Sequence, residues 1–205
     1  MIFESHHCVL IMGTRGCGKS TLAKNIQVMW PRRVVIDTLN EYDENETTKI
    51  VYSFEEFTQE LLYYNDTNKP EFTLIYQFDP ESENSDEEFN QVMRVCYYLG
   101  NLQIVLEEVQ EHSSVHSLPH WLRQCLLKGR HQNISVLSTT QRPGELNKTL
   151  LSQSQHIFCG QIIEGNDLRY VSSFLRQDSE KLVSLPKGQF LYFSAQGVTE
   201  INNLL

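Results

Sequence analysis

Three groups of residues have types and spacings that can do chemistry together. The first is Gly13-Thr14-Arg15-Gly16-Cys17-Gly18-Lys19-Ser20-Thr21, in which Gly13 to Ser20 fit the phosphate-loop pattern G-x-x-x-x-G-K-[ST]. A glycine-rich turn lets successive amide N–H groups converge on an anion, and the helix that follows adds its unpaired N–H groups and positive dipole end. In such a loop Lys19 reaches the β- and γ-phosphates of a nucleoside triphosphate and Ser20 holds Mg²⁺. The second group is Glu107-Glu108, directly after the apolar run Ile104-Val105-Leu106. One acid at a strand tip serves Mg²⁺ or its waters (Glu107), and the next is placed to polarise an attacking water as general base (Glu108). The usual residue at the first position is Asp, so Glu107 adds a methylene there. The third is Gln141, after the strand-like Ile134 to Ser138, a neutral amide for the γ-phosphate or the water. By itself Gln141 reads as a polar turn before Pro143. Its functional reading requires its strand to lie between the phosphate-loop strand and the Glu107 strand.

The elements that must position these groups are legible as short apolar runs and helical stripes. Val9 to Met12 is apolar, and Leu22, Ile26 and Met29 follow the loop at helical spacing until Trp30-Pro31. Arg33 to Ile36 reads as a second buried strand, ending in the polar loop Asp37 to Tyr42. Further strands are expected at 50–52, 72–78, 103–106, 134–138, 156–160, 188–194 and 198–201, the last two joined by a turn at Gln196-Gly197. Ser53 with Glu56 and Ser85 with Glu88 have capping-box spacing. The stripes Phe54, Phe57, Leu61 and Phe89, Val92, Met93, Cys96 follow them, and Gly100-Asn101 ends the second helix. Helices are also expected over 118–127, from the Gln141–Gly144 turn to about Leu151, and over 167–176. Strands alternating with helices imply an α/β fold, a mainly parallel central sheet flanked by helices, with a C-terminal antiparallel hairpin at one edge. No repeat or linker divides the chain, and 1–205 is read as one P-loop ATPase domain.

Composition bounds the rest. The net charge is −9, which at first sight disfavours a nucleic-acid partner. The acid is local, however. Residues 41–90 hold 15 of the 26 acidic residues and only Lys49 and Lys69 among the bases, leaving the remainder net basic. Glu41–Glu46 and Asp79–Glu88 read as solvated acidic surfaces, or as a face turned from DNA or toward a basic partner. No segment approaches the roughly 18 apolar residues of a membrane span, and no signal peptide is visible. The five cysteines show no C-x-x-C pair and are expected as free thiols.

With these motifs in place the chain resembles the HerA–FtsK superfamily of DNA-pumping ATPases, whose fold is RecA-like (the ASCE class of P-loop NTPases). The likeness rests on the phosphate loop, the acid pair after a core strand and the strand ending before Gln141-Arg142-Pro143. It is supported by Asp37-x-x-x-Glu41-Tyr42, by Gly129-Arg130-His131, and by Leu185 to Leu191, which resembles the family's closing strand. Gly13 stands too near the first residue for the N-terminal barrel of cellular HerA, so the chain looks like a minimal motor core. It is most similar to the genome-packaging ATPases of tailless internal-membrane viruses and phages. The resemblance implies ATP and Mg²⁺ as cofactors and a homo-oligomeric ring, usually of six, that drives double-stranded DNA into a procapsid. It further implies an arginine acting across the subunit boundary, with Arg130 the first candidate and Arg142 the second. Capsid-vertex or internal-membrane proteins would be partners, in the host cytoplasm or the virion.

Other readings stay open at this stage. The loop also fits a nucleotide or small-molecule kinase, although no arginine-rich lid is evident. A cellular HerA-like translocase and a nucleotide-gated capsid scaffold remain rivals. Arg123, Lys128, Lys148, Arg169 and Arg176 are available for DNA without forming a dense patch. His112, His116 and His120 read as solvated histidines rather than metal ligands, and Cys17 as a small loop residue.

Overall fold

The computed structural model describes residues 3–78, 85–194 and 197–202, and only the backbone of 176–178 and 202. The described residues form one nine-stranded sheet. In chain order its strands are β1 (Cys8–Met12), β2 (Arg32–Ile36), β3 (Thr48–Val51), β4 (Phe72–Tyr76), β5 (Leu102–Leu106), β6 (Ile134–Thr140), β7 (Ser154–Cys159), β8 (Gln189–Ser194) and β9 (Gly197–Asn202). Across the sheet the order is β3-β4-β2-β5-β6-β1-β7-β8-β9. All pairs from β3 to β7 are parallel, and β7–β8 and β8–β9 are antiparallel. The expected edge hairpin is present, with Ser194 opposite Gly197. Gln196 of its turn, and residues 79–84 of the acidic loop, lie outside the described residues.

The parallel strands are apolar runs because both faces are covered. In β1, Cys8, Leu10 and Met12 enter one core layer while Val9 and Ile11 enter the other; in β5, Ile104 and Leu106 oppose Val105. The layers are unequal. The larger takes the apolar stripes of α2 (Phe54–Asp66), α3 (Ser85–Leu99), α4 (His120–Lys128), α5 (Lys148–Gln153) and α6 (Gly165–Leu175). The smaller is covered by α1 (Lys19–Gln27) through Leu22, Ala23 and Ile26, with Trp30 and the segment around Phe3 beside it.

Local signals resolve as follows. The Ser53 side chain accepts from Glu56 N–H (3.2 Å), and the Glu56 carboxylate accepts from Tyr52 N–H (3.0 Å), one residue before the expected donor. The second capping box does not form as expected: Ser85 is already helical, and Glu88 accepts from the Tyr76 hydroxyl instead. Gly100 ends α3 at φ +64°, where a Cβ would come within 2.5 Å of the Gln132 carbonyl. A long 3₁₀ segment, Arg176–Ser184, was not anticipated by any periodicity. Phe57 is fully buried and meets Tyr76 edge-to-face at 5.6 Å. Phe57→Ala is therefore expected to cost about 3–5 kcal/mol in urea unfolding. Leu62→Ala, on the exposed side of the same helix, is expected to change stability by less than about 0.5 kcal/mol.

Candidate functional site

The C-terminal ends of β1, β5 and β6 open on a cavity of about 570 Å³, a size common for small-molecule sites. Its wall includes Arg15, Gly16, Gly18, Lys19, Ser20 and Thr21 of the loop, together with Glu108 and Gln141. Leu39, Glu41 and Lys187 also reach it. Thus β6 does lie between the phosphate-loop strand and the acid-pair strand, and the three groups meet. Gly13, Thr14, Cys17, Glu107 and Arg130 do not line this cavity.

The first loop residues build the turn rather than its cradle. Gly13 N–H donates to Thr140 O, Thr14 N–H to Gln161 O and Cys17 N–H to Thr14 O. Cys17 fills the space beneath the loop. A Cβ on Gly13 would lie 2.7 Å from its sulfur, and one on Gly160 would lie 2.8 Å away. Burial pushes the Cys17 thiol up, so it is a packing residue and no stabilised thiolate. Gly18, at φ +108°, turns the chain into α1 and frees the helix's first N–H groups to face the cavity. Gly188 N–H donates to Cys17 O (2.9 Å), which brings the Lys187 turn onto the loop.

Glu108 is buried at φ +49°, an uncommon conformation for a residue with a side chain. Its N–H is taken by Thr139 Oγ1 (3.1 Å). Its carboxylate accepts from Gln141 Nε2 (2.7 Å), Gln141 N–H (3.1 Å) and Gln110 Nε2 (2.8 Å), and lies 3.9 Å from Lys19 Nζ. The Lys19 amine also donates to Thr14 O (3.3 Å). An acid, an amide and an amine therefore surround one point at the mouth of the phosphate loop.

Glu107 points to the other side of its strand. Its Oε1 accepts from Tyr42 Oη (3.0 Å), and the residue is 1% exposed. Burial first, then the nearby Glu41, Asp37 and Glu108, push its pKa up to about 7 against the pull of the Tyr42 hydrogen bond. Asp37 shapes this corner by accepting from Glu41 N–H (3.0 Å), Tyr42 N–H (3.3 Å) and Gln77 Nε2 (2.8 Å). That folds the 37–42 loop so that Glu41 faces the cavity and Tyr42 faces Glu107. The Asp37-x-x-x-Glu41-Tyr42 pattern carried a signal for these residues. Nothing in the sequence marked Gln110, Thr139 or the cavity position of Lys187.

The remaining candidates scatter. Arg130 is exposed in the 3₁₀ turn that precedes β6, at the opposite end of that strand from Gln141. Arg142, next to Gln141 in the chain, is exposed and does not line the cavity; it pairs with Glu145 (3.0 Å) and Asp167 (3.6 Å). Arg123, Lys128, Lys148 and Arg169 are exposed, and the Arg176 side chain lies outside the described residues. His112 is not solvated as expected: its ring stacks on Phe89 at 4.3 Å, and burial pulls its pKa down to about 4. His116 and His120 are exposed and join no metal-binding cluster among the described residues.

The Glu107 shift has a thermodynamic consequence. Its folded pKa is raised above the ordinary value of 4.5, so its contribution to stability is full below about pH 4.5 and is lost as pH rises through about 7. Without nucleotide or Mg²⁺, Glu107→Gln should raise the melting temperature relative to the parent at pH 8, and that gain should vanish at pH 4.5. Scanning calorimetry across the interval tests this.

No family model matches the chain. It is 24% identical over 199 residues to Protein P9 of Pseudoalteromonas phage PM2, covering 94% of this chain and 86% of that protein. Among solved structures it is similar to the genome packaging NTPase B204 of Sulfolobus turreted icosahedral virus 2 in complex with ATP-gammaS. There the TM-score is 0.75 at 18% identity, over 99% of this chain and 100% of that one. VirB4 of Thermoanaerobacter pseudethanolicus matches with a TM-score of 0.64 at 10% identity, over 95% of this chain and 88% of that one. The motif-based resemblance and the coordinates agree: the chain has a P-loop NTPase fold whose structural neighbours are viral genome-packaging NTPases and VirB4.

Proposed function

We propose that the chain hydrolyses ATP to drive double-stranded DNA into a viral procapsid, working as a homo-oligomeric ring. The observation that carries this reading is the Glu108–Gln141 pair at the ends of β5 and β6, with Glu108 3.9 Å from the phosphate-loop lysine. Its viral structural neighbours, genome packaging NTPases in complex with ATP analogues, support it at the level of fold.

The triphosphate enters the cradle of Arg15 to Thr21. The Lys19 amine leaves Thr14 O and Glu108 and turns to the β- and γ-phosphates. Gln141, released from Glu108, donates its amide to the γ-phosphate or the attacking water. The freed Glu108 carboxylate accepts that water's proton, a general-base contribution of roughly 10²–10⁴ in rate. While Gln141 and Gln110 hold Glu108, its carboxylate oxygens are already engaged, so hydrolysis waits for the γ-phosphate to claim its partners.

The residues present suit Mg²⁺. Ser20 lines the cavity together with the acids Glu41 and Glu108, while burial first, and then Glu41, Asp37 and Glu108, raise the Glu107 pKa. Ser20 would hold the ion directly; Glu107 would serve its waters only after its carboxylate leaves Tyr42 and turns toward the cavity. Bound there, Mg²⁺ supplies charge neutralisation at the phosphate oxygens. Arg130 lies too far from its own cavity to serve it and would act in a neighbour's, with Arg142 the second candidate. Such a motor acts in the host cytoplasm or at the capsid vertex, where a capsid or internal-membrane protein would receive it.

The test is ATP hydrolysis with and without double-stranded DNA, across protein concentration. The expected result is DNA stimulation and a rate that grows faster than linearly, with Arg130→Ala removing that upward curvature. Glu108→Gln should lower kcat by about 10²–10⁴ while ATP still binds. Turnover indifferent to DNA and to concentration would overturn the motor reading. Phosphate transfer to a nucleoside acceptor would indicate a kinase instead.

A further inference from the structure

At the N-terminal ends of β1 and β6, opposite the nucleotide cavity, a second cavity of about 550 Å³ is bordered by Glu4, His6, His7, Arg130 and His131, among others. Three potential ligand atoms converge there. Glu4 Oε2 lies 3.5 Å from His6 Nε2 and 3.7 Å from His7 Nε2, and the three residues' ligand atoms all lie within 4.8 Å of one another. These separations are too long for good hydrogen bonds. The two Glu4–histidine separations are close to the roughly 3.4 Å between neighbouring ligands of a tetrahedral ion with bonds of about 2.0–2.1 Å. We propose that Glu4, His6 and His7 bind a divalent transition-metal ion of the Zn²⁺ type, with its fourth position open to this cavity.

Two further features prepare the site. The segment's backbone is held before any ion arrives. His7 N–H donates to Glu4 O (2.9 Å), Trp30 Nε1 to Ser5 O (3.1 Å) and Ser135 Oγ to His7 O (2.7 Å). The far nitrogen of His7 also has an outer partner. His7 Nδ1 lies 2.9 Å from His156 Nε2, and His156 Nδ1 lies 2.7 Å from Tyr192 Oη. An ion on His7 Nε2 requires the proton on Nδ1, where it can be donated to His156; this is the support that metal-ligating histidines use. The 3.3 Å approach of Glu4 N–H to His7 Nδ1 is the weaker contact and gives way in that tautomer.

The donor set also selects the ion. Two imidazoles and one carboxylate suit Zn²⁺, whereas Mg²⁺ prefers oxygen ligands and water, so the ion that accompanies ATP does not compete. Cys8 and Cys125 also line this cavity, but both are buried, and the other three cysteines are buried elsewhere. All three ligands come from the segment before β1, so the ion would stiffen that segment where His7 already meets Ser135 of β6 and His156 of β7, beside Arg130.

The test uses the full chain without an affinity tag, titrated with Co²⁺ as an optical probe and with Zn²⁺ by calorimetry. One equivalent should bind with tetrahedral ligand-field bands and no thiolate charge-transfer band. Glu4→Gln and His6→Ala, both at partly exposed positions, should each weaken binding at least tenfold while circular dichroism stays native. Tyr192→Phe should weaken it less. A hundredfold excess of Zn²⁺ over its Kd should raise the melting temperature by on the order of 5 °C, an increment absent in His6→Ala. No stoichiometric binding, or binding unchanged in His6→Ala, overturns the proposal. So does an ion displaced by ATP or lost in Lys19→Ala, which belongs to the nucleotide cavity. None of these readouts depends on DNA-stimulated hydrolysis, so the two readings fail separately.

Discussion

Because β6 lies between β1 and β5, the acid after β5 cannot sit directly against the phosphate loop. Adjacent strands are about 4.8 Å apart, so β1 and β5 are separated by roughly 10 Å. The Lys19 amine now spans that gap to within 3.9 Å of Glu108, so a terminal phosphate and a water fit between them only once the amine turns away from the carboxylate. The strand that makes the gap also fills its floor, with Thr139 Oγ1 on the Glu108 N–H and Gln141 on its carboxylate. The positive φ of Glu108 belongs to the same constraint. The chain must turn sharply out of β5 for the side chain to face the loop, and the hydrogen bonds from β6 hold it there.

The two neighbouring acids are separated by environment. Glu108 is surrounded by donors, whereas Glu107 is buried among other carboxylates with Tyr42 as its hydrogen-bond donor. A lone buried carboxylate in that company favours its neutral form, and a divalent cation nearby would reverse the balance. The extra methylene of Glu at this position carries the carboxylate to Tyr42, on the 37–42 loop that Asp37 ties down. The departure from the usual Asp thus has a visible partner in the structure.

Much of this was legible because the signals were local. The phosphate loop is a pattern of backbone torsions, and the acid pair and Gln141 stand at the ends of apolar runs whose burial follows from composition. The strand order was not written in any one segment; it was inferred from requiring the three motifs to meet. Gln110 escaped because its role depends on a 3₁₀ turn after Glu108 that shows no periodicity. Glu88 was misjudged because Tyr76, distant in sequence, offered a better donor than the helix end. His112 was misread for a related reason: Phe89, on α3, covers a ring whose own segment looks loop-like.

The same strand sets a limit on what Arg130 can do. β6 is buried along its whole length, and seven residues at about 3.3 Å each put its ends on the order of 20 Å apart. No rotamer of Arg130 spans that distance to its own cavity, so any electrostatic role for it in hydrolysis requires another subunit's phosphate. Gln141 at one end and Arg130 at the other are then fixed to one stiff element packed on both faces. In a ring, a displacement of Arg130 by a neighbour's nucleotide cannot be absorbed by bending within β6. It must shift the strand as a body or be taken up in the 3₁₀ turn that carries the arginine. The hydrogen bond that Glu108 N–H donates to Thr139 and those it accepts from Gln141 are the contacts through which a shift of the strand would be felt.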